Sequence, residues 1–256
     1  MSDPLEQAAW MLLTARKSPQ SRIAALPQAL RPADTSVAYA IQARVAAALG
    51  PVGGWKVGAA GPEAPPNCAP MPASGVVPSP ATLDSASRPL RGVEAEVAFR
   101  VGHDLPPRAT AYSRDEVAAA LASAHPAIEL LESRYLDPDA VDPLSSLADS
   151  LLHGGFVWGP GAADWQGIDF DSETVEQSVD GAAPLHRTGN PAGDMIRLVV
   201  WLANEGSRWA GGLKAGQFVT CGSWTGKTMV GPAASVLVRF PSLGEVRVGY
   251  APGGSD

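Results

Sequence analysis

The feature that most constrains this chain is the run 93–101, in which apolar side chains alternate with other residues. A period of two predicts a β-strand, with four apolar side chains on one face. Glu94 and Glu96 then leave the opposite face together, about 7 Å apart. The run therefore predicts a largely apolar strand that carries two carboxylates side by side.

Two neighbouring carboxylates repel each other, and burying both without a cation is costly. The alternative is an amphipathic strand with Glu94 and Glu96 on an exposed acidic edge, which the spacing alone favours because exposed charges are commoner. A third carboxylate, Glu129, stands in an apolar segment, and its alternative role is a salt bridge to Arg134. Three carboxylates that converge would form an oxygen-rich site suited to Mg²⁺ or Mn²⁺.

Lys56 is the cation with the most unusual surroundings. It follows Trp55 and is flanked by glycines in the sequence GGWKVG, which permit close approach of a ligand. A lysine there is suited to holding a substrate carboxylate or to proton transfer, and the alternative is a surface lysine in a glycine-rich loop.

Composition narrows the function classes. The chain has 256 residues, 45% of them hydrophobic, and a formal net charge of −7, which argues against nucleic acid as the main partner. Cys68 and Cys221 match no metal or redox spacing, and no apolar run approaches the ~20 residues that span a bilayer. With no leader peptide recognised, these features predict a soluble, cytoplasmic protein that does not bind membranes.

The order of elements predicts a helical N-terminal segment, 1–50, followed by one domain, 51–256. Strands and helices do not alternate regularly, which favours an α+β fold with a mixed, mostly antiparallel sheet. A capping box at Ser113–Glu116 begins a helix predicted to continue to Ala124 and to be closed by Pro126. A second helix is predicted over 194–204, and strands over 127–131, 154–159, 217–221, 235–240 and 245–250.

Several chemistries are excluded. The segment that ends in Lys227 and Thr228 has three residues where a phosphate-binding loop needs four. The four histidines have no zinc-ligand spacing, and no Gly-x-Ser-x-Gly elbow occurs.

Taken together, the motifs resemble the 2-keto-4-pentenoate hydratase branch of the fumarylacetoacetate hydrolase superfamily. The matching pieces follow in order along most of the chain: AYAIQ at 38–42, GWKVG at 54–58, VEAEVAF at 93–99, PAIELLESR at 126–134, AD at 148–149 with GGFVWG at 154–159, WLAN at 201–204, LKAGQ at 213–217 and GSWT at 222–225.

The resemblance implies a β-rich mixed roll with a helical N-terminal part. It also implies roles for individual residues: Glu94, Glu96 and Glu129 as ligands of Mg²⁺ or Mn²⁺, and Lys56 as the catalytic lysine beside the substrate. Asp149, Ser223 and Thr225 are implied as substrate-binding residues. Two positions depart from the family pattern, since Ala73 replaces an acidic residue and Asn190 replaces a histidine.

The implied activity is hydration of a 2-hydroxy-2,4-dienoate, a small 2-oxo acid in its enol form, through a metal-stabilised enolate in aromatic compound degradation. A 4-oxalocrotonate-type decarboxylase ranks second. An acylpyruvate C–C hydrolase ranks third, because the sequence shows no His/Glu pair to activate water. The resemblance also implies a homo-oligomer that associates with a related decarboxylase. A catalytically weak, metal-binding partner subunit is the remaining alternative.

Overall fold

The computed structural model describes residues 3–251, in which helices and strands are arranged as an α+β fold. The helices are α1 (Pro4–Ala15), α2 (Thr35–Leu49), α3 (Arg114–Ala120), α4 (Pro143–Ala148) and α5 (Met195–Trp201). The strands are β1 (Val52–Gly58), β2 (Asn67–Pro72), β3 (Val76–Pro78), β4 (Ala81–Asp84), β5 (Gly92–Val101), β6 (Leu121–Leu131), β7 (His153–Trp158), β8 (Thr174–Val179), β9 (Leu185–Thr188), β10 (Phe218–Ser223), β11 (Thr228–Met229), β12 (Ser235–Phe240) and β13 (Gly244–Ala251).

Two sheets form the domain. The larger has the order β2-β1-β10-β5-β6-β7-β3, with β11 also paired to β5, and the smaller has the order β4-β13-β12-β8-β9. Most pairs are antiparallel, but β1–β10, β3–β7 and β4–β13 are parallel. The predicted α+β fold with a mixed, mostly antiparallel sheet is confirmed.

The alternation in β5 produces the predicted division between its faces. Val93, Ala95, Val97 and Phe99 are fully buried in the main hydrophobic core, which also receives α5 and the inner face of the smaller sheet. Packing of this face fixes the register of β5, because a slip by one residue would drive its charged side chains into the core. The opposite face of β5 is thereby committed to Glu94 and Glu96.

The N-terminal helices form a second, smaller core. Ala8 and Leu12 of α1 pack with Ile41 and Val45 of α2, and α4 completes the cluster. Each long helix begins at an aspartate cap, Asp3 or Asp34, and α2 ends at Gly50 with a positive φ of 100°. The proposed parts 1–50 and 51–256 extend at residues 1–2 and 252–256 outside the described residues, so that division stays a prediction.

One helix prediction is wrong at its end. The capping box at Ser113–Glu116 is present, but α3 stops at Ala120 and Pro126 lies inside β6. The N–H groups of Gly102 and His103 donate to the carbonyl of Ala120, and β6 then pairs with β5. Local capping signals do not contain this partner, which is distant in sequence.

None of the helices between residues 3 and 251 is long and apolar enough to cross a membrane.

Candidate metal centre

The register of β5 and β6 brings the three predicted carboxylates together. Glu94 lies directly opposite Glu129, and Glu96 follows two residues along the same face of β5. Oxygen atoms of the three side chains lie within 4.8 Å of one another. Glu129 is 0% exposed and Glu96 is 1% exposed, so Glu96 does not lie on an exposed acidic edge.

Glu129 uses its two oxygens differently. Oε1 accepts hydrogen bonds from Lys56 Nζ at 2.7 Å and from His153 Nδ1 at 3.1 Å. Oε2 is buried and has no donor among residues 3–251. A buried carboxylate oxygen without a partner is costly, so the direction in which Oε2 points is the natural place for a cation.

The sequence alternative of a Glu129–Arg134 salt bridge is wrong. Arg134 instead donates through Nε to Asp149 Oδ1 at 2.5 Å, and both side chains are buried. The ion pair of Glu129 is formed with Lys56 instead.

Polar groups of β10 support Glu96 and Glu94. The Thr220 hydroxyl hydrogen-bonds to Glu96 Oε2, and the Ser223 side chain hydrogen-bonds to Glu94. A register shift between Thr220 and Ser223 interrupts the pairing with β5 at this level. Bulges of this kind redirect side chains next to functional sites.

Thr225 acts on the backbone rather than on a carboxylate. Its hydroxyl accepts from the Ala95 N–H at 3.1 Å and donates to Gln177 Oε1 at 3.1 Å. Ala95 stands between the two glutamates of β5, so Thr225 fixes the strand that carries them. Substrate binding by Ser223 and Thr225 remains a prediction.

The pKa values of the three carboxyl groups are shifted in different directions. Burial, then the neighbouring carboxylates, raise the pKa of Glu96 well above its ordinary value and raise the pKa of Glu94. Burial also acts on Glu129, but Lys56 and His153 outweigh it and lower the pKa of that carboxyl. The cluster holds one firmly ionised carboxylate and two that retain protons more readily.

Lys56 is held in its charged form. Burial opposes the ammonium, yet Glu129, Glu96 and Glu94 together raise its pKa. Its Nζ donates to Glu129 Oε1 and to the Leu151 carbonyl at 2.9 Å, which uses two of its three N–H bonds. Within residues 3–251 no further hydrogen-bond acceptor of Nζ is found, so the third N–H can serve an anionic ligand.

A strained segment delivers two of these contacts. Ser150, Leu151 and Leu152 have φ values of 63°, 53° and 66°, a left-handed conformation that non-glycine residues rarely adopt. The Leu151 carbonyl accepts from Lys56, and His153, immediately after the turn, donates to Glu129. Such strain persists only where surrounding contacts impose it, and it concentrates at functional sites.

Arg134 clamps the strained segment at both ends. Nη2 donates to the Asp149 carbonyl at 2.8 Å and Nη1 donates to the His153 carbonyl at 3.0 Å. The carboxylate of Asp149 is committed to this arginine, at the back of the turn, rather than to the carboxylate cluster. Its part in substrate binding stays a prediction. Its contacts hold Arg134 in place.

The two departures from the family pattern, Ala73 and Asn190, both hydrogen-bond to the backbone of another segment. Ala73 begins a short 3₁₀ turn, and its N–H donates to the Pro51 carbonyl. Asn190 donates through Nδ2 to the Cys221 carbonyl at 2.9 Å and accepts from the Ala192 N–H at 2.9 Å. Asn190 thus fastens its loop to β10 without joining the carboxylate cluster.

His153, Thr220 and Arg134 were missed as site components. The sequence showed no His/Glu pair, but the structure forms one from His153 and Glu129. Burial lowers the pKa of His153, and because Nδ1 donates to a carboxylate, Nε2 is left as an acceptor. The only sequence signals were a hydroxyl in the apolar strand 218–221 and a histidine before two glycines.

This donor set fits a divalent cation that prefers oxygen. Three carboxylates outnumber the single lysine, Glu129 Oε2 lacks a donor, and no cysteine or histidine nitrogen belongs to the clustered ligand atoms found among residues 3–251. Hard oxygen ligands of this kind suit Mg²⁺ or Mn²⁺ better than zinc.

Comparison with known proteins found relatives of modest sequence similarity. No family model matches the chain. The 2-keto-4-pentenoate hydratase of Paraburkholderia xenovorans (strain LB400) is 28% identical over 167 residues, covering 62% of this chain and 58% of the relative. A 4-oxalocrotonate decarboxylase of a Pseudomonas species is 29% identical over 160 residues, covering 60% and 58%. The matches thus span less than two thirds of these relatives.

Solved structures match over nearly the whole chain. The 4-oxalocrotonate decarboxylase from Pseudomonas putida G7, complexed with magnesium and adipate, has a TM-score of 0.80 at 21% identity, covering 96% of this chain and 98% of that one. Structures of fumarylacetoacetate hydrolase family proteins match as well. The fold is that of the fumarylacetoacetate hydrolase superfamily, and the resemblance to its 2-keto-4-pentenoate hydratase branch is confirmed.

Proposed function

We propose that this protein is a metal-dependent lyase that hydrates a 2-hydroxy-2,4-dienoate to a 4-hydroxy-2-oxo acid. The observation that carries the proposal is the buried, unpartnered Oε2 of Glu129 beside Glu94, Glu96 and the charged Lys56. Similarity to the hydratase of P. xenovorans supports the choice of reaction.

Glu94, Glu96 and Glu129 would hold Mg²⁺ or Mn²⁺. When bound, the cation supplies a Lewis acid that stabilises negative charge on the carbonyl oxygen of a 2-oxo acid. Lys56 and His153 orient Glu129 through Oε1 and so leave Oε2 free for the cation. Thr220 holds Glu96 in the same way, through a hydrogen bond to one oxygen.

Lys56 neutralises the substrate carboxylate. Its raised pKa keeps it cationic, and two protein acceptors fix its Nζ while one N–H remains for the substrate. Its side chain is only 15% exposed, so its charge is weakly screened there. A charged lysine is a poor general base, so its positive charge and any transient proton donation are its contributions.

The reaction balances with one water molecule. The 2-hydroxyl proton of the dienol is released and a proton is added at C5, which yields the 2-oxo-3-enoate. Water then adds its hydroxyl to C4 and a proton to C3. Because Glu96 and Glu129 are buried, we expect the reacting water to be a positioned molecule rather than bulk solvent.

Decarboxylation of a 4-oxalocrotonate is the second candidate. The decarboxylase relative is as similar in sequence as the hydratase, and the same enolate-stabilising site would serve loss of carbon dioxide. A His153–Glu129 pair also exists, which removes the argument from sequence against C–C hydrolysis. Glu129 is, however, one of the three proposed metal carboxylates.

Product analysis tests the proposal. Purified protein with Mg²⁺ is incubated with 2-hydroxypenta-2,4-dienoate, and 4-hydroxy-2-oxopentanoate is measured by NMR. We expect turnover by the wild type and by Glu205→Gln, which alters an exposed carboxylate, and at least a hundredfold loss in Glu96→Gln. Carbon dioxide release from 4-oxalocrotonate without hydration would replace the hydratase assignment with the decarboxylase one.

Assembly is also part of the proposal. We expect a homo-oligomer, with the apolar N-terminal helices α1 and α2 as candidate interface and a related decarboxylase as a further partner. Light scattering after size-exclusion chromatography gives the oligomer number. Activity that appears only after addition of such a decarboxylase would indicate a partner subunit rather than an independent enzyme.

A further inference from the structure

A polar cavity adjoins the strained segment, and Arg134 and Gly154 are among its lining residues. It has a volume of about 240 Å³ and is lined by the end of α1, the loop before β5 and the end of β6. Four arginines face it: Arg16, Arg22, Arg88 and Arg134. It shares no lining residue with the carboxylate cluster.

The cavity has an excess of positive charge. Glu132 is the one acidic residue of the lining, and its carboxylate accepts from the backbone N–H groups of Leu90 and Ser133. Asp149 does not line the cavity and is shared between Arg134 at 2.5 Å and Arg16 at 3.7 Å. One carboxylate therefore serves two guanidinium groups.

Arg16 is the least satisfied of these groups. Its Nε is buried and has no acceptor in the described part of the chain, and its 3.7 Å approach to Asp149 is too long for a hydrogen bond. Burial and the nearby Arg134 lower its pKa to about 9. An unpartnered guanidinium N–H at this depth is costly unless an acceptor arrives.

We propose that this arginine cavity binds a small oxyanion, a phosphate or a short dicarboxylate, with Arg16 as its principal ligand. Arginine's planar set of donors matches carboxylate and phosphate oxygens. The volume admits such an anion with accompanying water. A doubly charged anion would balance the uncompensated arginines.

The other arginines have defined parts. Arg88 donates through Nη1 to the Gly154 carbonyl at 2.9 Å, which holds it at the cavity wall. Arg22 donates through Nε to the Pro19 carbonyl at 3.4 Å, and within residues 3–251 no ion pair compensates its charge. Arg134 belongs to the clamp on the strained segment, and its contribution to the cavity is electrostatic.

Calorimetric titration with inorganic phosphate and, separately, with malonate tests this site at constant ionic strength. We expect saturable binding of at least one of these anions by the wild type and at least tenfold weaker binding by Arg16→Gln. Binding of phosphate alone identifies a phosphate site, and binding of malonate alone identifies a dicarboxylate site. Arg187→Gln, on an exposed strand, is the matched control and should bind like the wild type.

Arg88→Gln is the second variant and should also weaken binding, since its side chain lies at the wall away from the Asp149 pair. Circular dichroism verifies that each variant is folded. The proposal is overturned if the wild type binds neither anion at 10 mM, or if Arg16→Gln and Arg88→Gln, both folded, bind as tightly as the wild type. Neither result bears on the metal centre, which is titrated separately.

Discussion

The carboxylate cluster and the arginine cavity both adjoin one segment, residues 149–154, and have opposite charges. In the cluster, three glutamates face one lysine. In the cavity, four arginines face one glutamate, with Asp149 behind them. Among residues 3–251, each also contains a buried atom without a hydrogen-bond partner, such as Glu129 Oε2 in the cluster and Arg16 Nε in the cavity.

The difference shows which charged side chains are neutralised within the protein and which are not. Arg134 and Asp149, the pair that we call the wall, neutralise each other and hold the strained turn in shape. The charges on either face remain only partly compensated, which is the arrangement that a ligand of opposite charge stabilises. The wall is therefore structural, and the two faces are available for binding.

The largest effect is expected from breaking the Arg134–Asp149 ion pair. Asp149→Asn leaves Arg134 buried without its carboxylate, which should lower the free energy of unfolding by about 3–5 kcal/mol. Urea denaturation measures the loss. Asp139→Asn, which removes an exposed partner of Lys227, should change stability by less than about 1 kcal/mol. A similarly small loss for Asp149→Asn would contradict the structural role of the wall.

The next effect concerns the cluster alone. Glu129→Gln removes the ionised carboxylate and should weaken Mg²⁺ or Mn²⁺ binding by roughly a hundredfold, an order-of-magnitude estimate for the loss of one charged ligand. Phosphate or malonate binding in the arginine cavity should be unchanged, because the two sites share no residue. Unaltered metal affinity in a folded variant would remove Glu129 from the ligand set.

Lys56→Met separates ligand binding from metal binding. Removing the ammonium should weaken metal-dependent binding of oxalate, a mimic of the 2-oxo acid, by about tenfold, since one charged contact contributes ~1.4 kcal/mol. Metal affinity itself should hold or rise, because a cation competing for Glu129 is gone. Lys214→Met, an exposed lysine, is the control. Equal losses of metal and oxalate affinity would contradict this division of roles.

The smallest effect is a dependence on pH. The raised pKa values of Glu96 and Glu94 mean that these groups retain protons above their ordinary range, and cation binding must displace them. Metal affinity should therefore rise as the pH rises above the ordinary range of carboxyl groups, with protons released into the buffer. Calorimetry in two buffers of different ionisation enthalpy measures the release. Proton uptake on binding would contradict the assigned shifts.

Sequence reasoning predicted what depends on local patterns. The alternation in 93–101 predicted β5, the capping box predicted the start of α3, and the ordered motifs indicated the fold and the three carboxylates. The end of α3 was wrong because pairing between β5 and β6 decides where that helix stops. Pairing partners distant in sequence leave no local signal.

The missed site components have the same origin. His153 reaches Glu129 only because three residues before it adopt a left-handed turn, and that turn exists only because Arg134 holds both its ends. Neither the turn nor the clamp has a sequence signature, since none of the three residues is glycine. A salt bridge to Arg134 was the alternative considered for Glu129 because the two are close in the chain, but Arg134 lies beyond the end of β6 and pairs with Asp149.

We propose above all that Glu94, Glu96 and Glu129 hold a divalent cation and that a 2-oxo acid binds to this cation. The most direct test is calorimetric titration of the wild-type protein with Mg²⁺ or Mn²⁺, followed by oxalate with and without the metal. We expect one metal per chain and oxalate binding that requires it, with both lost in Glu96→Gln and both retained in Glu205→Gln. Absence of metal binding by the wild type, or oxalate binding that is indifferent to metal, would contradict it.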